Sequence, residues 1–156
     1  MSLFLSTCVD AVRALLSRGV KLNPRVVIAQ AVLESGWGES LLAKQHHNYF
    51  GLKAGTLWHG PVVSMSTREF VDGSEIVTEA VWRSYSSASE GFLDYVRFIS
   101  SSEYFSGALN YVDDDERYLS ELVDKDVKYA TDPKYKAKIL ELITELHLTD
   151  TFPIKV

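Results

Sequence analysis

PRVVIAQAVLESGWGESLLAKQHHNYFGLK, residues 24–53, is the stretch whose reading decides the fold. From Val26 to Leu33 it is apolar apart from Gln30, which predicts a helix covered by protein on nearly every side rather than an amphipathic surface helix. Asn23 and Pro24 supply an N-cap and a first-turn proline. Glu34 then stands where another apolar residue is expected, and Ser35-Gly36-Trp37-Gly38 ends the helix at about Ser35. A carboxylate at that point loses hydration, has an indole beside it and feels the negative end of the helix dipole. Both effects raise its pKa, as a general acid working near neutral pH requires.

Outward from this stretch, 3–18 reads as a helix with a stripe of Phe4, Val9, Val12, Leu15 and Leu16. A short helix is expected over 39–46 and a glycine-broken loop after it. From Val62 the period changes to two, with Val63, Met65, Thr67 and Glu69 on one side. Asp72-Gly73 marks a hairpin turn, and Ile76 to Trp82 forms the return strand, with a further short strand allowed. Ser87-Ala88-Ser89-Glu90 is a capping box opening a helix, 103–111 is another short helix, and Asp113 to Glu116 caps the next one. The Asp113 run lacks the spacing of an EF-hand loop, which argues against calcium. Thr131-Asp132-Pro133 opens the last helix, which runs to about His147.

The 156 residues fit one domain, 1–156, with a β-lobe at about 62–83. With a net charge of -5 and no basic stripe, nucleic-acid binding is not expected. Aromatics make up 12% of the chain, including flat amphipathic rings of the kind sugar clefts use. The single cysteine, Cys8, excludes an internal disulfide and reads as a small buried hydrophobe. No segment has the roughly 18 apolar residues of a membrane span. The N-terminus has no basic n-region, so it does not read as a signal peptide. Export by another route, or a longer precursor, is expected. Zinc is not expected either: His46, His47 and His59 lack a ligand spacing. Ser35 has none of the context of a nucleophile elbow.

Taken together, AQAVLESGWGESLLAKQHHNYFGLKA, the T-x-E strand, RSYSSASEGFLDYVRFI and YATDPKYKAKI resemble the glucosaminidase domain of glycoside hydrolase family 73. The nearest likeness is to the peptidoglycan-hydrolase domain of flagellar rod-assembly proteins, over about residues 4–148. The resemblance implies an α+β, mainly α, lysozyme-like fold, with a helical lobe and a small β-hairpin lobe flanking a glycan cleft. It implies an endo-β-1,4-N-acetylglucosaminidase acting on the glycan strands of cell-wall peptidoglycan, working outside the cytoplasm as a monomer without cofactor or metal. A protein partner for targeting is compatible with this.

By the same resemblance Glu34 falls on the catalytic acid, Glu69 on the second carboxylate and Tyr129 on the tyrosine near the reacting sugar. Asn48, Tyr49 and Phe50 fall on the cleft-floor segment, with Gln30, Trp37, Lys53 and Trp58 as further substrate-binding residues. Tyr49 stands where leucine is common, His46-His47 replaces ordinary polar residues, and Asp126-Val127-Lys128 precedes Tyr129 where a small residue and glycine are usual. The alternatives are muramidase or lytic transglycosylase action on the same glycan, or a non-catalytic glycan-binding or assembly module. Retention through a nucleophile, inversion through an activated water and assistance by the substrate's 2-acetamido group all remain open. Two glutamates delivered from different lobes favour the last two.

Overall fold

The structure, a computed structural model, describes residues 1–155, and the side chain of Glu69 lies outside the described residues. In chain order come α1 (Leu3–Ser17), α2 (Pro24–Glu34), α3 (Leu41–His46), β1 (Val62–Val71), β2 (Ser74–Arg83) and α4 (Ala88–Ser101). A 3₁₀ turn at Ser106–Tyr111, α5 (Asp115–Val123), α6 (Tyr135–Glu145) and the short α7 (Leu148–Thr151) follow.

The apolar run of α2 does what its pattern demands: every residue from Pro24 to Val32 is buried. Asn23 caps it, its Oδ1 accepting the Val26 N–H at 3.1 Å. Around it pack α1, α5 and α6, with α4 laid against α1. The buried face of α1 is Leu5, Cys8, Val9, Ala11, Val12 and Leu15. That corrects the expected stripe at two positions: Leu16 is 37% exposed, and Phe4 is half-buried with its ring edge on Tyr49 at 5.5 Å. The helix phase puts Leu5 and Cys8 inward in their place.

At the start of α2, Arg25 is buried although it carries a charge. Its guanidinium pairs with Asp115 of α5 at 2.9 Å and donates to the Phe152 carbonyl at 3.0 Å and the Val112 carbonyl at 3.3 Å. Asn23 Nδ2 also donates to Asp115 at 2.9 Å. One carboxylate thus ties α2, α5 and the C-terminal segment together. The acidic run before α5 divides its work, since Asp114 caps the helix through the Arg117 N–H at 3.1 Å.

The hairpin is longer than expected, running in register from Val62 opposite Arg83 to Val71 opposite Ser74. Asp72 (φ 51°) and Gly73 (φ 78°) take the left-handed conformation that a two-residue hairpin turn needs. The segment 52–54 adds a third, one-bridge strand at the base: the Ala54 N–H reaches the Val81 carbonyl at 2.9 Å and the Arg83 N–H the Leu52 carbonyl at 3.1 Å. Beyond Ala80 towards the turn, β2 is exposed on both faces. The base is fastened to α4 by Asp94, whose carboxylate accepts from Arg83 at 2.9 Å and from the Tyr85 hydroxyl.

Two helix starts differ from the sequence reading. Ser87 caps α4, but the Glu90 carboxylate turns to the Ser86 N–H (3.1 Å) and hydroxyl (2.7 Å), so the box closes one residue earlier. The last long helix begins at Tyr135, because Asp132 holds the Lys134 N–H at 2.9 Å in a turn that carries the chain past Pro133. It ends at Glu145, and α7 follows as an unforeseen extra turn.

Removing Asp115 leaves Arg25 charged and buried without its partner. Asp115→Ala is therefore expected to lower unfolding free energy in urea by about 3–5 kcal/mol. Arg117→Ala, which breaks a solvent-exposed pair with Asp114, is expected to stay within about 0.5 kcal/mol.

Candidate active site

Glu34 is the last residue of α2, and the turn after it is fixed from the backbone outward. Gly36 (φ 58°), Trp37 (φ 61°) and Gly38 (φ 77°) are successive left-handed residues. The Gly36 N–H bonds the Leu33 carbonyl at 3.4 Å and the Trp37 N–H the Val32 carbonyl at 2.8 Å. This is the bond pair of a glycine-terminated helix. Ser35, buried, donates its hydroxyl to the Ala31 carbonyl at 2.6 Å and accepts the Gly38 N–H at 2.8 Å. Its task is to close the turn. At Gly38 any side chain would run into the Phe4 ring. Two glycines, one serine and one phenylalanine therefore hold the residues that follow Glu34.

Glu34 reaches solvent on its outer side, while protein on the inner side strips hydration from the carboxyl and raises its pKa. A hydrogen bond from the Tyr135 hydroxyl opposes that rise. Trp37, expected beside Glu34 and as a substrate-binding residue, is 47% exposed. It forms a ridge between two grooves, one of them lined by Leu33, Gly36, Lys138, Glu141 and Leu142.

Tyr129 lies close enough for the charge of Glu34 to contribute to the rise of its hydroxyl pKa, behind burial and Tyr135. Its N–H is held by the Leu122 carbonyl at 2.8 Å, and its ring sits among Tyr95, Phe105 and Tyr135 at 6.0–6.3 Å. The backbone of Glu69 is in β1 opposite Ile76, near the hairpin turn. The role expected of its carboxylate falls outside the described residues.

Four residues expected to touch substrate lie beneath the surface instead. Gln30 is fully buried and bonded on both sides to tyrosines. Asn48 is spent on the backbone of the loop, donating to the Leu52 and Arg83 carbonyls and accepting the Leu52 N–H. Tyr49 bonds His47 at 2.9 Å, and Phe50 stacks on Tyr95 at 4.3 Å. They shape the floor from below rather than lining it. Lys53 and Trp58 stay near the surface. Lys53 bridges to Trp82, and its ammonium lies 5.6 Å from that ring. The Trp58 indole donates to the Pro61 carbonyl at 2.9 Å with the Arg83 guanidinium 4.9 Å from its ring.

The residue that sequence reasoning missed is Tyr135. Its signal was present: it begins the stripe Tyr135, Ile139, Ile143 that forms the buried face of α6. A tyrosine on such a stripe brings a hydroxyl into the core, which must find a partner there.

A buried helix ending in this carboxyl, with a β-hairpin lobe beside it, is the arrangement of a lysozyme-like fold. The chain belongs to the glucosaminidase family, whose model, described as mannosyl-glycoprotein endo-beta-N-acetylglucosaminidase, matches residues 12–148. It is 35% identical over 131 residues to the peptidoglycan hydrolase FlgJ of Pseudomonas aeruginosa, covering 81% of this chain and 32% of that protein. It is 33% identical over 132 residues to a probable N-acetylmuramidase of Lactococcus lactis, covering 82% and 30%. The chain thus spans about a third of the length of these relatives. Among solved structures it is similar to the glycoside hydrolase domain of Salmonella typhimurium FlgJ, with 30% identity, TM-score 0.71 and coverage of 93% and 96%. The catalytic domain of the autolysin Auto from Listeria monocytogenes gives 30% identity, TM-score 0.74 and coverage of 97% and 89%.

With a raised pKa, the fold holds the Glu34 proton more tightly than the unfolded chain does. That stability is full below the ordinary carboxylate pKa and is lost as pH rises through the raised value. Glu34→Gln is expected to melt above wild type at pH 7, with the gap closing below about pH 4. The same variant is expected to lose about 10²- to 10⁴-fold in kcat.

Proposed function

We propose that this domain is an endo-β-N-acetylglucosaminidase that hydrolyses the glycan strands of bacterial peptidoglycan, with Glu34 as general acid. The observation that carries it is Glu34 itself, a carboxyl of raised pKa at the end of a fully buried helix, beside Tyr129 and Tyr135. Burial keeps Glu34 protonated to higher pH, and the proton goes to the glycosidic oxygen as the bond to the sugar breaks. Glu69, brought by the β-lobe, is the second carboxylate. Burial also keeps the Tyr129 hydroxyl protonated, which leaves it a donor able to orient the 2-acetamido group of the reacting sugar. Inversion through a water held by Glu69 and assistance by the acetamide both fit carboxylates delivered from separate lobes. Proton NMR of the first-formed anomer separates them.

A polymeric substrate needs a path beyond the reacting sugar. A groove of about 670 Å³ between the β-lobe base and the end of α4 provides one, with Trp58, Arg97 and Tyr104 in its lining. The rings of Tyr129, Phe105 and Tyr104 pack between it and the site, at 6.0 Å and 6.3 Å. Loss of the Trp58 ring is expected to raise KM for long strands about two- to tenfold.

The domain acts at the cell wall, brought there by a further segment or a partner protein. Among the described residues no helix is long and apolar enough to cross a membrane. The similarity to a probable N-acetylmuramidase favours a second reading, cleavage on the muramic side. Mass analysis of digested cell wall decides between them. A reducing N-acetylglucosamine end is expected, and a reducing muramic end or an anhydro product overturns the assignment. A protein that binds glycan without turnover, unchanged by Glu34→Gln, would be a binding module.

A further inference from the structure

Beneath Glu34 runs a line of polar groups through the core. Gln30 is fully buried, and its Nε2 donates to the Tyr135 hydroxyl oxygen at 3.0 Å. Its Oε1 accepts from the Tyr95 hydroxyl, and the Tyr95 oxygen is 3.1 Å from that of Tyr118. A tyrosine has one proton to give. Because Tyr95 gives its proton to Gln30, the proton between Tyr95 and Tyr118 comes from Tyr118. Because the Tyr135 oxygen accepts from Gln30, the Tyr135 proton is left for Glu34. Every donor in the line points the same way, from α5 through α4 and α2 to α6 and back to the end of α2.

We propose that Gln30 is a positioning residue for Glu34: its amide, oriented by Tyr95 and Tyr118, commits the Tyr135 proton to the Glu34 carboxylate. The inference rests on reading Glu34 as the general acid. Turning the Gln30 amide over would draw the Tyr135 proton to Oε1 and present an oxygen lone pair to an anion. In the observed orientation Gln30 does not draw on the Tyr135 proton, which stays available to Glu34 as the carboxyl gives up its own proton and charge develops on it. Such a donor stabilises the developing charge without reorganising during the reaction. Burial and the Tyr135 bond then act in opposite directions, one keeping the acid protonated and the other easing proton release.

The remaining groups on this side of the fold do not duplicate the effect. Tyr129 adds a second hydroxyl near Glu34, before α6. Lys138 of α6 is bound to Asp132 at 2.6 Å, and Glu141 lines the groove beside Leu33 and Gly36.

The test measures the pH dependence of kcat and KM on peptide-stripped glycan strands, together with a ¹³C NMR titration of the Glu34 carboxyl. The proteins are wild type, Tyr135→Phe, Gln30→Glu and Tyr95→Phe. Tyr135→Phe is expected to move the alkaline limb and the Glu34 titration to higher pH by about one unit. Gln30→Glu is expected to do at least as much, since its carboxyl accepts from both tyrosines and takes the Tyr135 proton. Tyr95→Phe frees the amide to turn and shifts both readings in the same direction by less. In each variant kcat falls while KM stays within about twofold, because none of the three side chains meets substrate. If Tyr135→Phe moves the titration while Gln30→Glu and Tyr95→Phe leave it at the wild-type value, the relay is overturned and Tyr135 acts alone. Tyr95→Phe preserves ring packing and carries the test if Gln30→Glu does not fold. Wild type that leaves glycan uncut but shows the expected titration shifts would overturn the enzymatic reading and uphold the relay.

Discussion

A helix buried from Pro24 to Val32 has to be surrounded, and the other helices take the places that surrounding α2 requires. α1, α5 and α6 cover it directly, and α4 backs α1. Burial also fixes what the helix can carry. Its two polar side chains before Glu34, Arg25 and Gln30, each have a hydrogen-bond partner for every side-chain nitrogen and oxygen, as they must where no water can reach them. Arg25 is clamped at the start, Gln30 in the middle, and Glu34 emerges at the end. The position of Glu34 is therefore set by the packing of the whole helical lobe.

That arrangement was legible in the sequence to the extent that it depends on local pattern. The unbroken apolar run in α2, the Asn23-Pro24 start and the glycines after Glu34 read directly into a buried helix with a fixed end. The hairpin did too, because Asp72-Gly73 needs two left-handed residues and the alternation before it leaves one face half-buried. What failed depends on side-chain reach. Trp37 reads as an indole that desolvates the neighbouring Glu34, but after the left-handed turn it is largely exposed. Gln30, Asn48 and Tyr49 read as cleft residues because polar groups near a site are ordinarily there to meet substrate. Tyr95 for Gln30 and the Arg83 carbonyl for Asn48 come from positions that spacing alone does not bring together. Tyr135 was passed over because its partner Glu34 lies on a different helix, a hundred residues away in the chain.

The two lobes differ in how they are held. Glu34 sits on backbone tied by successive hydrogen bonds and backed by Phe4, whereas β1 and β2 are fastened to the body through their base, at the 52–54 strand and at Asp94. A two-stranded ribbon with exposed faces gains little from packing beyond its own ladder. The lobe that carries Glu69 is thus the more easily displaced one. How the β1–β2 lobe sits against the body is then a property of the hairpin's base, where Arg83 bonds Asp94 and stacks on Trp58.

A core of this size is built most simply from apolar side chains, and the line from Tyr118 to Glu34 departs from that. Phenylalanine and leucine fill nearly the same volumes as the tyrosines and Gln30 without polar atoms to satisfy. A buried polar network that is fully bonded adds little net stability, and one lost partner makes it costly. Stability alone therefore does not account for three hydroxyls and an amide placed where each finds a partner beneath Glu34. Their common effect is electrostatic. Desolvation of Glu34 raises its pKa and favours the protonated carboxyl, and the same desolvation penalises the anion. A donor fixed inside the core offsets that penalty without adding water to the site. The polar line through the core is the counterpart of the apolar helix that carries Glu34.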